Sequence, residues 1–315
     1  MSSRRVVITG GSGFVGQVLL DGLPRHGFAV DVFDQFRGPI VNQLRRRHIG
    51  TTRSTTVLRG AHQIARVQRR LSRMLLGGPL APPTTDHILD FRSRLAARFA
   101  GADAVIHLAA IPHPHMPGAT DVDFERINFQ GSVNVFEAAR QAGVPKFVFA
   151  SSGQVYAINK PVRIDQFPIL ESNYLPTAAD GATTYARMKV QFEQYMAATC
   201  VPGGMQGISV RLEYPGFQSN TPDNFYVSTS VDNLALGVAR AVTNSASFTS
   251  EAFNLVDGHV DERIVDIQRV VRERWPDVPN RSTGNESLLS VEKARQLLGY
   301  EPIRNGRYFP VTLVW

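Results

Sequence analysis

The sequence predicts an α/β protein: a doubly wound parallel sheet followed by a small, mostly helical C-terminal lobe. Three observations predict it. Short β-branched runs alternate with helical patterns over the first two thirds of the chain, which is the rhythm of a parallel sheet covered on both faces. The first run, Val6-Val7-Ile8, stops at the glycine cluster Gly10-Gly11-Ser12-Gly13, and a helical pattern then starts at Phe14, Val15, Val18 and Leu19. A second run, Ala29-Val30-Asp31-Val32-Phe33, ends at an acid, Asp34.

The glycines carry chemistry as well as structure. Gly10 allows the tight turn, Gly13 lets backbone N–H groups approach a pyrophosphate, and Gly16 lets the helix pack closely on the strand. The helix N-terminus adds unpaired N–H donors and the positive end of its dipole. Asp34 lies 18 positions after Gly16, near the spacing at which an acid accepts from adenosine ribose hydroxyls. Together these features make the N-terminal part a Rossmann-type dinucleotide site.

After the second strand comes a basic stretch, about 38–85, taken as an insertion. Residues 35–85 hold ten arginines and no acid. A helical pattern from Ala61 to Leu76 places Ile64, Val67, Leu71, Met74 and Leu75 on one side, and the stretch closes at Gly77-Gly78-Pro79 and Pro82-Pro83. The α/β rhythm resumes with a helix from His87-Ile88-Leu89-Asp90 through Leu95 and Phe99, then a strand at 104–108 that leads into Ala109-Ala110. A helix at about 124–142, a strand at 146–150 ending at Ser151-Ser152, a helix at about 184–198 and a strand at 208–212 follow. Beyond Tyr214-Pro215-Gly216 the rhythm is irregular, with helices near 231–242, 262–274 and 290–298. The chain therefore divides into a dinucleotide-binding domain, 1–212, and a smaller substrate-binding lobe, 213–315.

The net charge of +7 belongs to the insertion, because the other 24 basic residues face all 27 acids. The basic balance is thus no property of the fold. Nucleic acid is disfavoured as a partner, since the insertion has no aromatic beyond Phe36 to stack bases. A homo-oligomer, a dimer, or a lid over the site is the favoured role for the insertion. An anionic membrane surface is a further placement, not favoured, and a solvated helix packed on its own domain with its arginines facing water is the plain alternative. The single Cys200 excludes an intramolecular disulfide, and the start of the chain has no apolar signal core, so a cytoplasmic protein is expected.

Thr184-Tyr185-Ala186-Arg187-Met188-Lys189 opens a helix, and Tyr185 and Lys189, four apart, share one face. An ammonium beside a phenol lowers its pKa, and a phenol tuned that way exchanges a proton with a substrate oxygen. Ser151-Ser152 sits just past a strand, where a parallel sheet presents residues to a ligand. His113-Pro114-His115 follows Ala110-Ile111-Pro112 on a loop facing the same place. It is read either as a substrate contact or as a turn shaped by its prolines. Two histidines without a carboxylate or Cys motif do not make a metal site.

With these residues in hand, the chain resembles the extended short-chain dehydrogenase/reductase family, that of the NAD-dependent sugar epimerases and dehydratases. The marks are Thr9-Gly-Gly-Ser-Gly-Phe-Val-Gly16, His107-Leu-Ala-Ala110, Asn128-Phe-Gln-Gly131, Ala150-Ser-Ser152 with Val155-Tyr156, Tyr185-Ala-Arg-Met-Lys189, Val231-Asp-Asn-Leu-Ala235 and Leu298-Gly-Tyr-Glu-Pro302. The resemblance implies NAD as cofactor, Tyr185 as acid/base, Lys189 as the group that binds the nicotinamide ribose and tunes Tyr185, and Ser152 at the substrate oxygen. It implies a cofactor lining of Gly10, Gly13, Phe14, Val15, Asp34, Leu108, Ala109, Ala110, Asn128 and Ser151, with Tyr214 and Pro215. Ile111, His113, Gly153, Gln154 and Tyr214 would meet the substrate. Asp34 favours NAD over NADP, with Arg37 as the residue that opposes it.

Four departures from the family shape the functional expectation. The adenine-edge pair reads His87-Ile88, with Asp86 one position early. Gly153-Gln154 stands where dehydratases resembling this chain carry an acidic pair, so no carboxylate is expected beside the active-site hydroxyl and dehydration is disfavoured. Tyr214 replaces the usual Asn after the arginine strand, and the connection 216–230 has no Lys or Arg for a substrate diphosphate. That short connection resembles uronate dehydrogenases, but their carboxylate-binding arginine falls near Asp223. The expectation is a sugar (nucleotide-sugar) epimerase, with a dehydrogenase or reductase of a small hydroxy or keto substrate as the alternative. A non-catalytic NAD-binding regulator ranks last.

Overall fold

A computed structural model describes residues 3–34, 85–158 and 163–309, with the backbone alone over 85–91. The arginine-rich insertion, with Arg37 and the Ala61–Leu76 pattern, lies outside the described residues. β1 (Arg4–Thr9), α1 (Phe14–Gly22), β2 (Phe28–Phe33), α2 (Thr85–Phe99), β3 (Ala104–His107), α3 (Gly131–Gln141) and β4 (Lys146–Ser152) come first in the chain. They are followed by α4 (Thr184–Thr199), β5 (Gln206–Leu212), α5 (Val231–Thr243), β6 (Ser250–Asn254), α6 (Ile267–Arg274) and α7 (Glu292–Leu298). Among the described residues six strands pair in parallel in the order β2-β1-β3-β4-β5-β6. Strand order reverses at β1, so a crevice opens past the carboxyl ends of β1 and β3.

The strands are apolar on both faces, as helix-covered parallel strands must be. Val6 and Ile8 join one core, with Ile106, Val148, Ile208 and Leu234 of α5. Val7 joins the other, with Val105, Phe147, Phe149, Phe136 of α3 and Phe192 of α4. Inside this second layer His107 is fully buried, with Nδ1 2.6 Å from Thr9 Oγ1 and Nε2 2.9 Å from Ser132 Oγ. Burial, reinforced by the Lys189 charge, lowers its pKa to about 3. It is a neutral structural residue that ties the ends of β1 and β3 to α3.

Two elements differ from the sequence expectation. The sheet gains a sixth strand, β6, from the segment read as irregular; its sequence, Ser250-Glu251-Ala252-Phe253-Asn254, is too polar to stand out as a buried strand. The helix expected from about 124 begins at Asp121 under a Thr120–Asp123 capping box and then passes through a π-helical stretch, Glu125–Gln130, before α3.

A buried ion pair clamps α4 to the sheet. Arg211 Nη2 of β5 lies 2.6 Å from Glu193 Oε2 of α4, Ser151 Oγ donates to Glu193 Oε1 at 2.6 Å, and Arg211 Nη1 donates to Tyr156 OH at 2.6 Å. Removing one partner leaves a buried charge uncompensated. Glu193→Ala is therefore expected to lower stability by about 3–5 kcal/mol in urea denaturation, and Glu193→Leu with Arg211→Met to recover most of it. A second prediction concerns Gly16, where an added Cβ would sit 2.5 Å from Gly11 Cα. Both atoms belong to backbone, so Gly16→Ala should cost about 1–3 kcal/mol and weaken dinucleotide binding together. An unchanged melting temperature would contradict it.

Candidate active site

The crevice is built first by backbone. Gly10 has φ +75° and a Cβ there would lie 2.5 Å from Ala109 N, so the end of β1 can meet the end of β3 only through a glycine. Leu108 N donates to Thr9 O at 3.0 Å and completes that junction. Gly11, unmarked in the sequence reading, is also required, because its Cβ would lie 2.7 Å from Val32. Gly13 is the N-cap of α1 and supplies no side-chain cap. The first amides of α1 therefore have no side-chain cap, a geometry that suits an anion such as a pyrophosphate. Gly16 acts against the glycine loop at Gly11, a closer partner than the strand that the spacing suggested. Val15 packs on the core beside it.

Asp34 stands just past β2, and its Oδ2 accepts from Ser12 N at 2.9 Å. The acid is thus held at the edge of the glycine loop, where ribose hydroxyls are expected. Asn128, in the π-helical stretch, donates Nδ2–H to Ile111 O at 3.0 Å and accepts from Ile111 N at 2.7 Å. Both functions of its amide hold the loop that follows Ala110. His113 and His115 lie exposed further along that loop, with His115 N donating to His113 Nδ1 at 3.0 Å. His87 and Ile88 fall in α2, and their side chains lie outside the described residues.

The catalytic candidates converge from α4 and β4. Thr183 caps α4 by accepting from Ala186 N, which sets Tyr185 in the first turn. Tyr185 is buried against Phe124 and Met188, and its hydroxyl shares a hydrogen bond with Ser152. Lys189 Nζ donates to Ala150 O at 2.6 Å and lies 4.6 Å from the Phe149 ring centroid. Ser152 Oγ also accepts from Gln154 N at 3.1 Å. Ser151 takes the opposite face, as successive strand residues do, and its hydroxyl is committed to Glu193 instead of the crevice.

Two expectations are corrected here. Lys189 was to lower the pKa of Tyr185. Instead, burial pushes the Tyr185 phenol up to about 12, with the Ser152 hydrogen bond opposing and the Glu213 charge adding. Burial also drives Lys189 down to about 7, partly offset by Glu193. Lys189 is thus not among the groups that move the Tyr185 phenol, which answers to burial, Ser152 and Glu213. Second, a carboxyl does stand beside the active-site hydroxyl. It arrives from β5, not from the positions after Ser152. Glu213 is 6% exposed, and Gln154 Nε2 donates to its Oε1 at 3.3 Å. A Cβ on Gly153 would lie 2.7 Å from its Oε2. Burial raises its pKa to about 8, against the Gln154 hydrogen bond. Parallel pairing of Ser152 with Leu212 is the signal that finds it, and that register is not written in either segment alone.

Beyond Glu213 the chain turns sharply, with Tyr214 at φ +42° and Pro215 bridged to Thr229. The turn sets Phe217 against Phe14, ring centroids 4.9 Å apart, and Phe309 closes on the same ring at 5.2 Å. Phe309 N donates to Gly216 O and Val231 N to Arg307 O, both at 2.8 Å, so the segment 307–309 straps this wall. The Phe14 ring is engaged with these aromatics. Phe14 can therefore serve a dinucleotide through its backbone amide at the start of α1.

Comparison with known proteins agrees with this architecture. A 4-hydroxy-2-methyl-3-oxo-4-farnesyl-3,4-dihydroquinoline-1-oxide ketoreductase of Stigmatella aurantiaca is 27% identical over 78% of this chain and 60% of its own length. A 3-beta-hydroxysteroid dehydrogenase of Mycolicibacterium neoaurum is 24% identical over 81% of this chain and 60% of its own. The chain thus spans about 60% of the length of these relatives. A UDP-glucose-4-epimerase from Stenotrophomonas maltophila, solved with bound NAD and formylated UDP-arabinopyranose, superposes with a TM-score of 0.60. It is 20% identical, and 96% of this chain and 94% of that one are covered, a likeness of fold. The family model described as NAD dependent epimerase/dehydratase family matches residues 6–216, two thirds of the chain, with the glycine loop, the strand-end serine and the Tyr185–Lys189 pair inside it. The chain belongs to the NAD dependent epimerase/dehydratase family.

Proposed function

We propose that this protein is an NAD-dependent oxidoreductase that interconverts a secondary alcohol and a ketone on a small substrate without a diphosphate, exchanging its cofactor each turnover. The observation that carries this reading is the wall formed by 216–230. It offers no Lys or Arg, and packs Phe217 against Phe14 and Phe309. A diphosphate calls for charge-assisted donors, and this wall supplies aromatic surface in their place. The ketoreductase and the hydroxysteroid dehydrogenase, whose names describe such chemistry, support the same reading. A second reading, the sugar epimerase expected from the sequence, is favoured by the family model. It requires NAD to stay bound while hydride returns to the opposite face of one carbon.

The residues fit the cofactor: uncapped α1 amides for the pyrophosphate, Asp34 for the adenosine ribose, and Tyr185 and Lys189 for the nicotinamide side. Bound NAD supplies a hydride acceptor, and NADH a donor. The chain handles the proton. Neutral Tyr185 is the form that gives a proton to a carbonyl oxygen, and Ser152 holds that oxygen within the same hydrogen-bond set. In the oxidative direction Tyr185 must first lose its proton, which burial opposes.

Three outcomes follow. Calorimetric titration should give tighter binding of NAD than NADP, because Asp34 repels a 2′-phosphate; the reverse order would implicate Arg37. Tyr185→Phe should lower turnover by about 10²–10⁴-fold with NAD affinity nearly unchanged, measured by nicotinamide absorbance. Purified protein should exchange NAD freely and show net absorbance change with neutral ketones or alcohols. Cofactor retained through purification, with no net change, would favour the epimerase reading.

A further inference from the structure

Glu213 is a buried titratable group that proton transfer by Tyr185 does not use. It lies one residue past β5, level with Gly153 one residue past β4, because the strands pair Ser152 with Leu212. Its carboxyl leans over Gly153, where any Cβ would lie 2.7 Å from Oε2. The missing side chain at 153 is what makes room for it. Gln154 orients the carboxyl at 3.3 Å, and Glu213 N is anchored to Thr229 Oγ1 at 3.3 Å.

The surroundings distinguish this carboxyl from the other buried ones. Glu193 faces the Arg211 guanidinium at 2.6 Å. Asp257 accepts from Ser230, Asn233 and Tyr308. Among the described residues, Glu213 has one neutral amide as its side-chain donor, and that contact is long. Among the described residues, the titratable group from α4 that feels the Glu213 charge is Tyr185, while Lys189 is turned to Ala150 O. The turn after β4 and the segment before α5 bring Gln154 and Thr229, which do not titrate. A carboxyl buried without a cation is costly when ionised, and such groups gather at functional sites.

We propose that Glu213 is a second protonic group of the catalytic site, set beside Tyr185 so that its charge is felt by the bound nicotinamide. This rests on the reading of the site as an NAD oxidoreductase. The oxidised nicotinamide ring is cationic and the reduced ring is neutral. An ionised Glu213 therefore favours NAD, and a neutral one permits NADH. Protonation of this side chain would bias the direction of hydride transfer, and its ionisation would also hold the Tyr185 proton more firmly.

The experiment is calorimetric titration of the full chain with NAD and with NADH from about pH 6 to about pH 9. The ratio of the NADH Kd to the NAD Kd should rise by about tenfold across this range. The rise should be centred near the pH of about 8 at which the carboxyl ionises. In Glu213→Gln the step near 8 should vanish, leaving only a step near 7 from Lys189, which both proteins share. A purely structural carboxyl would not move this ratio. Gly153→Ala provides a second variant, since its methyl displaces the carboxyl while leaving it in the chain; the step should shrink or shift there too. A ratio without the step in wild type, or an equal step in Glu213→Gln, overturns the inference while NAD binding stands. Failure of wild type to bind NAD at every pH overturns the cofactor reading and this inference with it.

Discussion

The architecture depends on a contact that admits no side chain. At the point where strand order reverses, the turn after β1 lies against the backbone at 108–109, and Gly10 meets it with no Cβ and a positive φ. Gly11 and Gly16 repeat the constraint against Val32 and against each other. These approaches draw α1 down on the sheet and leave its N-terminus uncapped at the mouth of the crevice. An anion site of this kind is made by geometry that other residues cannot adopt.

Charge is distributed around the crevice by depth. Below the sheet ends, Arg211 and Glu193 form a fully paired clamp with Ser151 and Tyr156 around it. At the crevice itself Tyr185, Lys189 and Glu213 are all driven by burial toward their neutral forms. Such a site holds protons to be given or taken, and a charge introduced there acts through a weakly polar surrounding. The neighbouring serines divide these roles. Ser151 belongs to the clamp and Ser152 to the crevice, because the pleat sends them to opposite faces.

Much of the fold was legible in the sequence. β-branched runs, glycine spacing and helical periodicity located five of the six strands and the helices between them, because each is a local property of consecutive residues. β6 escaped because a strand of five with Ser, Glu and Asn in it is recognised only once β5 is there to pair with it. The π-helical stretch before α3 escaped for a similar reason: it departs from a regular helix only in the register of its hydrogen bonds.

The site divides along the same line. The sequence by itself determined the chemistry available: a glycine loop with an acid after β2, a tyrosine and lysine one turn apart, and a serine at a strand end. These are short-range patterns, and a chain of any fold displays them in order. Tertiary structure decided what those residues do. It turned Lys189 to a carbonyl, committed Asn128 to Ile111, and folded Phe14 into an aromatic wall. It also brought Glu213 beside Gly153 across some sixty residues of chain. Burial and strand register are the physical reason. Both are sums over distant segments, and both set which groups meet and which of them can carry charge.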